Sequence, residues 1–493
     1  MNKEYILAID AGTTSSRSII FDKKGYAIAT SQIEFNQIYP KKGWVEHNPE
    51  EIWETQLNTI KRVIKKANIS PSQIVSIGIT NQRETTILWN KKTSKPVYNA
   101  IVWQCRRTSE FCEQIKLSGY EKTILKKTGL VVDPYFSATK IKWILENSIE
   151  AKEALKNNEL AFGTIDSWLL FKLTNGKSHK TDFSNASRTM LFNINDGKWD
   201  DELLRYFNIP EQILPEVAPS NSLFGYLDKS ILGVEIPING ILGDQQAALF
   251  GQTCYRIGEA KMTYGTGGFI LFNIGNEPVL SKNKLLTTIA WNIDGKTTYA
   301  AEGSIFIAGA AIQWLRDNLN LIDNAEQSET FSFNVEDNGG VYFIPAFTGL
   351  GAPYWNPFVK GTIFGITRDT KKEHIVRAAL EGIVFSTKDV VDAIEKDTKK
   401  ILTVLKVDGG ASRNNFLLKF LSNILGKLII RPQNIETTAL GAALISGLGA
   451  GVYSSMEEIQ KIYKIEKEFV PEMDQLKRNE LYNKWKTYIN KLL

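Results

Sequence analysis

Three short turns in the sequence contain glycine, and the first two also contain hydroxyl-bearing residues. They occupy residues 10–16, 265–268 and 408–411, and each follows a predicted strand. Glycine lacks a Cβ, so the backbone N–H groups and hydroxyls of such a turn can approach an anion closely. Phosphate is the ligand that this chemistry favours. Glycine and threonine also form turns that bind nothing, but three such turns, two of them similar, favour a phosphate site.

Carboxylates and one arginine could supply the chemistry around a bound phosphate. Asp244 follows the apolar run 238–242, where it could project into a cleft and accept a proton, or could simply cap a helix. Arg83 donates and Glu84 accepts hydrogen bonds, so this pair could bind adjacent hydroxyl groups, unless it is a surface ion pair. Asp10 ends the first predicted strand, at a position suited to a Mg²⁺ site.

Several known phosphate and metal motifs are absent from the sequence. There is no GxxxxGK[ST], no HRD or DFG triplet, and no GxGxxG between a strand and a helix. This disfavours a P-loop protein, a protein kinase and a Rossmann dehydrogenase. His47, His179 and His374 are scattered without the spacing of zinc ligands, so we expect structural or surface roles for them. What remains is a phosphate clamp formed by two facing hairpins.

The elements that would position these groups alternate between strands and helices. The runs 5–9, 18–21 and 26–30 predict a meander around the first turn, and Asn48 and Pro49 predict the start of a helix. A strand is predicted at 74–79, a second hairpin at 260–272, and a strand and a helix around the third turn. This pattern is typical of a layered α/β protein. We place a domain boundary near residue 250, which gives units 1–250 and 251–493.

The composition is that of a globular chain with two or three domains. Of the 493 residues, 43% are hydrophobic and 23% charged, and the net charge of +5 does not suggest nucleic acid as a partner. Three cysteines without a CxxC pair fit a reducing cytoplasm, and we expect no signal peptide. The uncharged stretch 437–456 predicts a buried helix and turn rather than a membrane span. The apolar stripe from Leu481 to Leu492 predicts a helix packed on its own domain rather than on a membrane surface.

Four segments together resemble the FGGY carbohydrate kinase family: residues 10–17, 243–251, 264–269 and 408–411. Further segments at 79–84, 101–104, 133–135 and 303–316 are similar to the branch of that family that phosphorylates glycerol. The resemblance spans residues 5 to about 450. It implies two ribonuclease-H-like domains of the actin-like ATPase type that flank a cleft, the first binding the polyol and the second the nucleotide.

The resemblance also implies an activity and roles for individual residues. The activity is in-line phosphoryl transfer from ATP, with Mg²⁺, to form sn-glycerol 3-phosphate for glycerol catabolism and glycerolipid precursors. Asp244 would be the general base, and Asp10 and Asp244 would hold the metal. The residues implied for the polyol are Arg83, Glu84, Trp103, Tyr135, Asp244, Gln245 and Phe269. Those implied for the nucleotide are Thr13, Thr14, Ser15, Arg17, Thr266, Gly309, Gln313, Gly410 and Asn414.

The sequence departs from the family pattern at two places. Ala11 replaces the usual Gln between the acid and Gly12, so the first turn could hold phosphate or metal-bound water differently. The loop 225–237 ends near Glu235 and has neither the arginine nor the histidine through which some family members are regulated. We therefore predict neither form of control.

Two other functions fit part of this pattern. One is a kinase of a larger sugar such as xylulose or gluconate, and the other is an actin-like ATPase that uses its nucleotide as a conformational switch. Arg83, Glu84 and Tyr135 favour glycerol over a larger sugar, and no partner-binding module is visible for a switch. By analogy with the family we expect a homodimer or homotetramer, with glycerol and ATP as ligands and no membrane span.

Overall fold

The computed structural model describes residues 4–493, which contain two large mixed β-sheets. In spatial order, the first sheet consists of Gly225–Tyr226, Pro237–Gly243, Ile74–Asn81, Tyr5–Ala11, Ser15–Asp22 and Ala27–Glu34. The second sheet consists of Leu286–Ile293, Lys296–Ile305, Gly268–Gly275, Glu259–Tyr264, Val404–Asp408, Leu428–Pro432 and Ile465–Phe469. Each sheet contains an antiparallel hairpin. The first strand of that hairpin pairs on its other edge with a parallel strand, which in turn pairs with a second parallel strand. The predicted α/β class and the predicted pair of related hairpins are confirmed.

Helices and short strands surround these sheets. The helices are Pro49–Ala67, Ser109–Leu117, Glu121–Thr128, Ser137–Asn147, Ile149–Lys156, Ile165–Leu173, Phe183–Ala186, Asp201–Phe207, Lys229–Leu232, Asp244–Gly251, Gly309–Asp317, Gln327–Phe333, Lys372–Thr398, Asn415–Leu425, Thr437–Gly449, Met456–Ile462 and Gln475–Asn490, with 3-10 turns at Pro71–Gln73, Glu211–Ile213 and Gly410–Arg413. The short strand pairs are Glu46–His47 with Ala100–Ile101, Lys180–Asp182 with Glu216–Ala218, Phe192–Asn193 with Lys198–Trp199, and Tyr342–Ile344 with Thr362–Phe364. A further small sheet contains Lys95–Pro96, Ile87–Asn90 and Leu160–Gly163.

The first long helix begins where the sequence predicts it. Asn48 is the cap, since its side-chain oxygen accepts a hydrogen bond from the N–H of Glu50 at 3.0 Å, and Pro49 is the first helical residue. Glu51 does not complete a capping box, because its carboxylate accepts from Asn36 instead. The helix therefore also holds Asn36, which follows the first meander, in place.

Helix Thr437–Gly449 lies against the first sheet although in sequence it stands between two strands of the second sheet, Leu428–Pro432 and Ile465–Phe469. Ala442, Ala443 and Ile445 share a buried cluster with Ile6 and Phe21 of the first sheet. The predicted buried, small-residue helix is thus confirmed, and the two halves of the chain have a common core. Among residues 4–493, no helix combines the length and apolar character that a membrane crossing requires. The predicted boundary near residue 250 stays a prediction.

The C-terminal helix, Gln475–Asn490, packs on the second half of the chain. Trp485 and Ile489 are buried in its core, and the indole N–H of Trp485 donates to the carboxylate of Asp389 at 2.8 Å. Tyr482 donates to the same carboxylate at 2.6 Å. The predicted packing of this stripe on its own domain is confirmed.

A glycine contact between two helices generates a prediction about stability. A Cβ built on Gly441 would lie 1.8 Å from the carbonyl oxygen of Ala247, in helix Asp244–Gly251. We expect Gly441→Ala to lower the free energy of unfolding by about 1–3 kcal/mol because the helices must move apart. Helix propensity alone predicts that the same change raises the free energy of unfolding by about 1 kcal/mol. The sign of the measured change therefore shows whether the helix contact or the helix propensity dominates. Thermal denaturation measures it. Gly410→Ala is the control, since no described atom lies within 4 Å of its Cβ position.

Candidate active site

Asp244 begins helix Asp244–Gly251 directly after strand Pro237–Gly243, at the edge where that strand ends. Its Oδ1 accepts from the N–H of Gln245 at 2.6 Å and lies 3.1 Å from Nε of Arg83, and the side chain is 31% exposed. The cap position itself is Gly243, whose N–H donates to the hydroxyl of Ser184. Oδ2 has no hydrogen-bond partner in the described part of the chain, so one oxygen of this partly exposed carboxylate is unpaired.

Arg83 belongs to a buried network of charges that spans both halves of the chain. Its two terminal nitrogens lie 2.7 and 2.9 Å from the carboxylate oxygens of Glu302, on strand Lys296–Ile305 of the second sheet. Arg188 contacts the same carboxylate at 3.2 Å and Glu84 at 2.7 Å. The side chains of these four residues are at most 4% exposed. The alternative of a surface pair for Arg83 and Glu84 is wrong, since the two are buried and 3.7 Å apart.

The network holds Glu302 ionised, whereas for Glu84 burial outweighs Arg83 and Arg188 and raises the pKa. Burial alone would raise the pKa of Glu302, but the guanidinium groups of Arg188 and Arg83 outweigh it and lower that pKa to about 2. One nitrogen of Arg188, Nη1, is buried without a partner among the described residues. Unpaired buried donors are costly, so Nη1 of Arg188 is a group that a bound hydroxyl would stabilise. No motif in the sequence points to Glu302, in a strand, or to Arg188, in the turn after helix Phe183–Ala186; their burial is visible only after folding.

Aromatic side chains adjoin this network. The rings of Trp103 and Tyr135 meet edge to face with centroids 5.5 Å apart, and Arg188 lies 5.7 Å from the centre of the Tyr135 ring. The indole N–H of Trp103 donates to the hydroxyl of Thr13 at 3.1 Å, which joins the aromatic pair to the first turn. Phe269 lies on the same face of the second sheet as Glu302, because it is two residues from Leu271, which pairs with Glu302. The structure thus links Arg83 to Glu84 and Asp244, and Trp103 to Tyr135, with Arg188 between the charges and the rings; polyol binding by these residues stays a prediction.

The first glycine turn joins the strands Tyr5–Ala11 and Ser15–Asp22. Arg17 lies 3.8 Å from Asp10 and also pairs with Glu436, just before helix Thr437–Gly449. Thr14 is exposed, whereas Ser15 is buried and its hydroxyl accepts from Gln32 at 3.0 Å.

Ala11 has its side chain in the core below the turn. Gln82 supports the turn beside it, because its N–H donates to the carbonyl of Ala11 at 2.8 Å and its side-chain amide donates to that of Gly12 at 3.1 Å. Ala11, which differs from the family pattern, therefore faces the core, whereas the side chain of Asp10 lies on the opposite face of the strand.

The second and third turns lie together at one edge of the second sheet, where two neighbouring parallel strands end. The N–H of Gly309, which begins helix Gly309–Asp317, donates to the carbonyl of Gly265 at 2.9 Å. A Cβ on Gly309 would lie 2.6 Å from that carbonyl, so glycine is required for this approach. Gly409, with φ of 84°, packs on Tyr264 and leaves Gly410 open.

The remaining predicted nucleotide residues follow from these turns. Thr266 and Gln313 are exposed beside them. Asn414 is the cap of helix Asn415–Leu425, since its oxygen accepts from the N–H of Leu417 at 2.9 Å, and its amide donates to Ser328 at 3.1 Å. The parallel strands Glu259–Tyr264 and Val404–Asp408 end at the same edge of the second sheet, so Thr266 and Asn414, which follow them, lie at that edge.

Two carboxylates in this cleft fit the requirements of Mg²⁺. Burial raises the pKa of Asp10 to about 6; Arg17 opposes this shift, and the negative charges of Asp244 and Glu436 add to it. Mg²⁺ is commonly held by one or two carboxylates, with waters and substrate phosphates as the other ligands. A cation between Asp10 and Asp244 would relieve their repulsion. Within residues 4–493 there is no group of three or more His, Cys, Asp or Glu side chains arranged to bind a metal.

The histidines have local structural partners. Nε2 of His47 is 2.7 Å from the side-chain oxygen of Gln37, and Nε2 of His179 is 2.8 Å from the carbonyl of Phe162. His374 accepts from the N–H of Lys371 at 3.2 Å. Burial lowers the pKa of both His47 and His179 to about 4, so both rings are neutral at physiological pH.

Comparison with known proteins identifies the family. The N-terminal domain of the FGGY family of carbohydrate kinases matches residues 5–251, and the C-terminal domain of the same family matches residues 260–450. The protein belongs to the FGGY family of carbohydrate kinases and is an enzyme of that class. The predicted resemblance and the predicted ribonuclease-H-like, actin-like ATPase fold are confirmed.

Relatives and solved structures match over almost the whole chain. A protein named glycerol kinase from Thermoanaerobacter pseudethanolicus is 60% identical over 490 residues, 99% of each chain. Glycerol kinase 2 of Thermotoga maritima is 55% identical over 490 residues, again 99% of each. The crystal structure of Plasmodium falciparum glycerol kinase with ADP matches at a TM-score of 0.95 and 37% identity, over 100% of this chain and 99% of that one.

The buried network generates a second prediction. Glu302→Gln leaves Arg83 and Arg188 without their shared carboxylate, so we expect the free energy of unfolding to fall by about 3 kcal/mol at pH 7. Because the folded-state pKa of Glu302 is lowered to about 2, its contribution is complete above its ordinary pKa of 4.5 and is lost as the pH falls towards 2.

Chemical denaturation from pH 7 to pH 3 measures this effect, and the difference between the unaltered protein and the variant should narrow below pH 4.5. Glu235→Gln is the control, because Glu235 is half exposed and its ion pair with Lys229 is long, at 3.9 Å. We expect this variant to change the free energy of unfolding by less than about 0.5 kcal/mol. An equal loss in both variants, or a difference that widens in acid, contradicts the assignment of this network.

Proposed function

We propose that the protein transfers the γ-phosphoryl group of ATP to glycerol and forms sn-glycerol 3-phosphate. One observation carries the proposal: Asp244, with an unpaired carboxylate oxygen, lies 3.1 Å from Arg83 at the end of a buried network built from both halves of the chain. Full-length relatives that are 55–60% identical are named glycerol kinase, which supports the same acceptor.

In this mechanism Asp244 takes the proton of the attacking hydroxyl. Oδ1 is held by the N–H of Gln245 and by Arg83, so Oδ2 is the atom that would accept the proton. Phosphoryl transfer through a loose transition state requires alignment and charge neutralisation more than a strong base. Asp244 would therefore act as much by aiming the hydroxyl at the γ-phosphorus as by accepting its proton.

The acceptor would be bound by donors and acceptors in combination. Arg83, Gln245 and Nη1 of Arg188 would donate to its oxygens, and Glu84 would accept from its hydroxyls. Trp103, Tyr135 and Phe269 would cover its C–H groups. A site that pairs buried polar groups with every substrate hydroxyl strongly rejects analogues that lack one.

The nucleotide would occupy the three glycine turns. We propose that Thr13, Thr14, Ser15, Arg17 and Thr266 contact its phosphates, and that Gly309, Gln313, Gly410 and Asn414 contact the adenosine. Arg17 would leave Glu436 for the phosphates, a change that the exposed Glu436 permits. Asp10 and Asp244 would hold Mg²⁺, whose charge would neutralise the phosphate oxygens when bound. Cytoplasmic location, assembly as a dimer or tetramer, and supply of glycerolipid precursors stay predictions.

The acceptor range separates this function from its two rivals. We expect phosphorylation of glycerol, and for propane-1,2-diol a kcat/KM lower by about 10⁴-fold or more, since a buried donor or acceptor is left unpaired. A coupled assay of ADP release with glycerol, this diol, xylulose, gluconate or no acceptor measures it. Faster turnover with xylulose or gluconate would identify a kinase of a larger sugar. Rapid ATP hydrolysis without any acceptor would identify a nucleotide-driven switch.

Removal of the proposed base gives the most specific mutational test. We expect Asp244→Asn to lower kcat by about 10²–10⁴-fold, the usual contribution of a general base, while the KM for ATP changes little. Steady-state kinetics with glycerol and ATP measure both constants. Asp201→Asn is the control, since Asp201 is exposed in the first turn of another helix. Full turnover in the Asp244→Asn variant is incompatible with a base at this position.

A further inference from the structure

Two lysines lie side by side in the second sheet and contact opposite ends of one helix. Lys261 and Lys406 are paired on neighbouring parallel strands, and their exposed fractions are 0% and 5%. Nζ of Lys406 donates to the carbonyls of Gln252 and Thr253 at 2.7 and 3.2 Å, just beyond helix Asp244–Gly251. An ammonium there satisfies free carbonyls and complements the negative end of the helix dipole. Lys406 therefore has a structural role.

Lys261 does not cap a helix end in this way, although the carboxylates of Asp408 and Asp244 attract its ammonium group. Its Nζ donates to the side-chain oxygen of Gln245 and to the hydroxyl of Thr263, the latter at 3.1 Å. Gln245 is the second residue of the same helix, so this cation lies at the positive end of the dipole, where it is unfavourable. Burial of an ammonium adds a further cost. A buried cation at the unfavourable end of a helix, beside the carboxylate of Asp244, is expected at a functional site.

The contact fixes which way the amide of Gln245 points. An ammonium group can only donate hydrogen bonds, so the atom that faces Lys261 must be the carbonyl oxygen of Gln245. The amide nitrogen of Gln245 is left without a partner among residues 4–493. Asp244, with its unpaired Oδ2, directly precedes Gln245, so an unpaired acceptor and an unpaired donor come from consecutive residues at the start of this helix.

We propose that Lys261 is a positioning residue for the acceptor: it orients Gln245 so that the amide nitrogen donates to a hydroxyl of glycerol beside Asp244. This inference rests on the proposed function and extends it to a residue of the second sheet. Lys261 also joins the acceptor end of the cleft to the strand that leads into the second glycine turn, which is proposed to bind phosphate. Acceptor alignment would then depend on the register of both halves.

The test compares Lys261→Met with Lys261→Arg in the full-length protein. We expect Lys261→Met to raise the KM for glycerol about tenfold, the effect of one lost hydrogen bond, while the KM for ATP stays within about twofold. Lys261→Arg should restore most of the affinity because arginine, too, only donates. Lys406→Met is the matched control, which should lower thermal stability and leave the KM for glycerol unchanged.

A double-mutant cycle decides whether Lys261 acts through Gln245. If it does, Lys261→Met combined with Gln245→Ala has the same KM for glycerol as Gln245→Ala alone. Multiplied effects, or equal increases in the KM for glycerol and ATP, overturn the proposal. If Lys261→Met does not fold, Lys261→Gln replaces it, since glutamine both donates and accepts and allows the amide to turn. Glycerol phosphorylation by the unaltered protein tests the proposed function separately.

Discussion

The structure depends on a buried ion pair that joins the two halves of the chain. Arg83 from the first half and Glu302 from the second make two parallel contacts, with Arg188 and Glu84 completing the charges around them. Removing either partner leaves a buried charge uncompensated, which is far more costly than leaving the pair intact. The two halves therefore have one favourable register here, and Asp244 is held in it through Arg83.

A hydrophobic core that the two halves share stabilises the same register. Helix Thr437–Gly449 covers the first sheet and contacts helix Asp244–Gly251, and the buried cluster around it includes residues of both sheets. Helix Asp244–Gly251 is thus fixed at its first residue by Arg83 and along its length by glycine contacts. A proposed base that must be aligned to a fraction of an ångström is placed on a rigid element rather than on a free loop.

Local patterns in the sequence predict the parts of this protein that depend on neighbouring residues. The meander around the first turn, the helix cap at Asn48 and the small-residue helix after Thr437 follow from spacing, capping and composition, and the structure contains them. The motifs also indicate the family and most candidate residues of the cleft. Arg188, Glu302 and Lys261 carry no such signal, because each acquires its partner from a segment distant in the chain. For the same reason, the sequence does not show that Arg83 contacts Glu302 more closely than its neighbour Glu84.

The central claim is that this cleft aligns a glycerol hydroxyl with the nucleotide's terminal phosphate next to Asp244. A crystal structure of the protein with glycerol and a non-hydrolysable ATP analogue measures that alignment directly. The account predicts a terminal hydroxyl oxygen about 3 Å from Oδ2 of Asp244 and in line with the γ-phosphorus. Glycerol bound away from Asp244, or a carboxylate turned from it while the γ-phosphate is in place, would contradict the account.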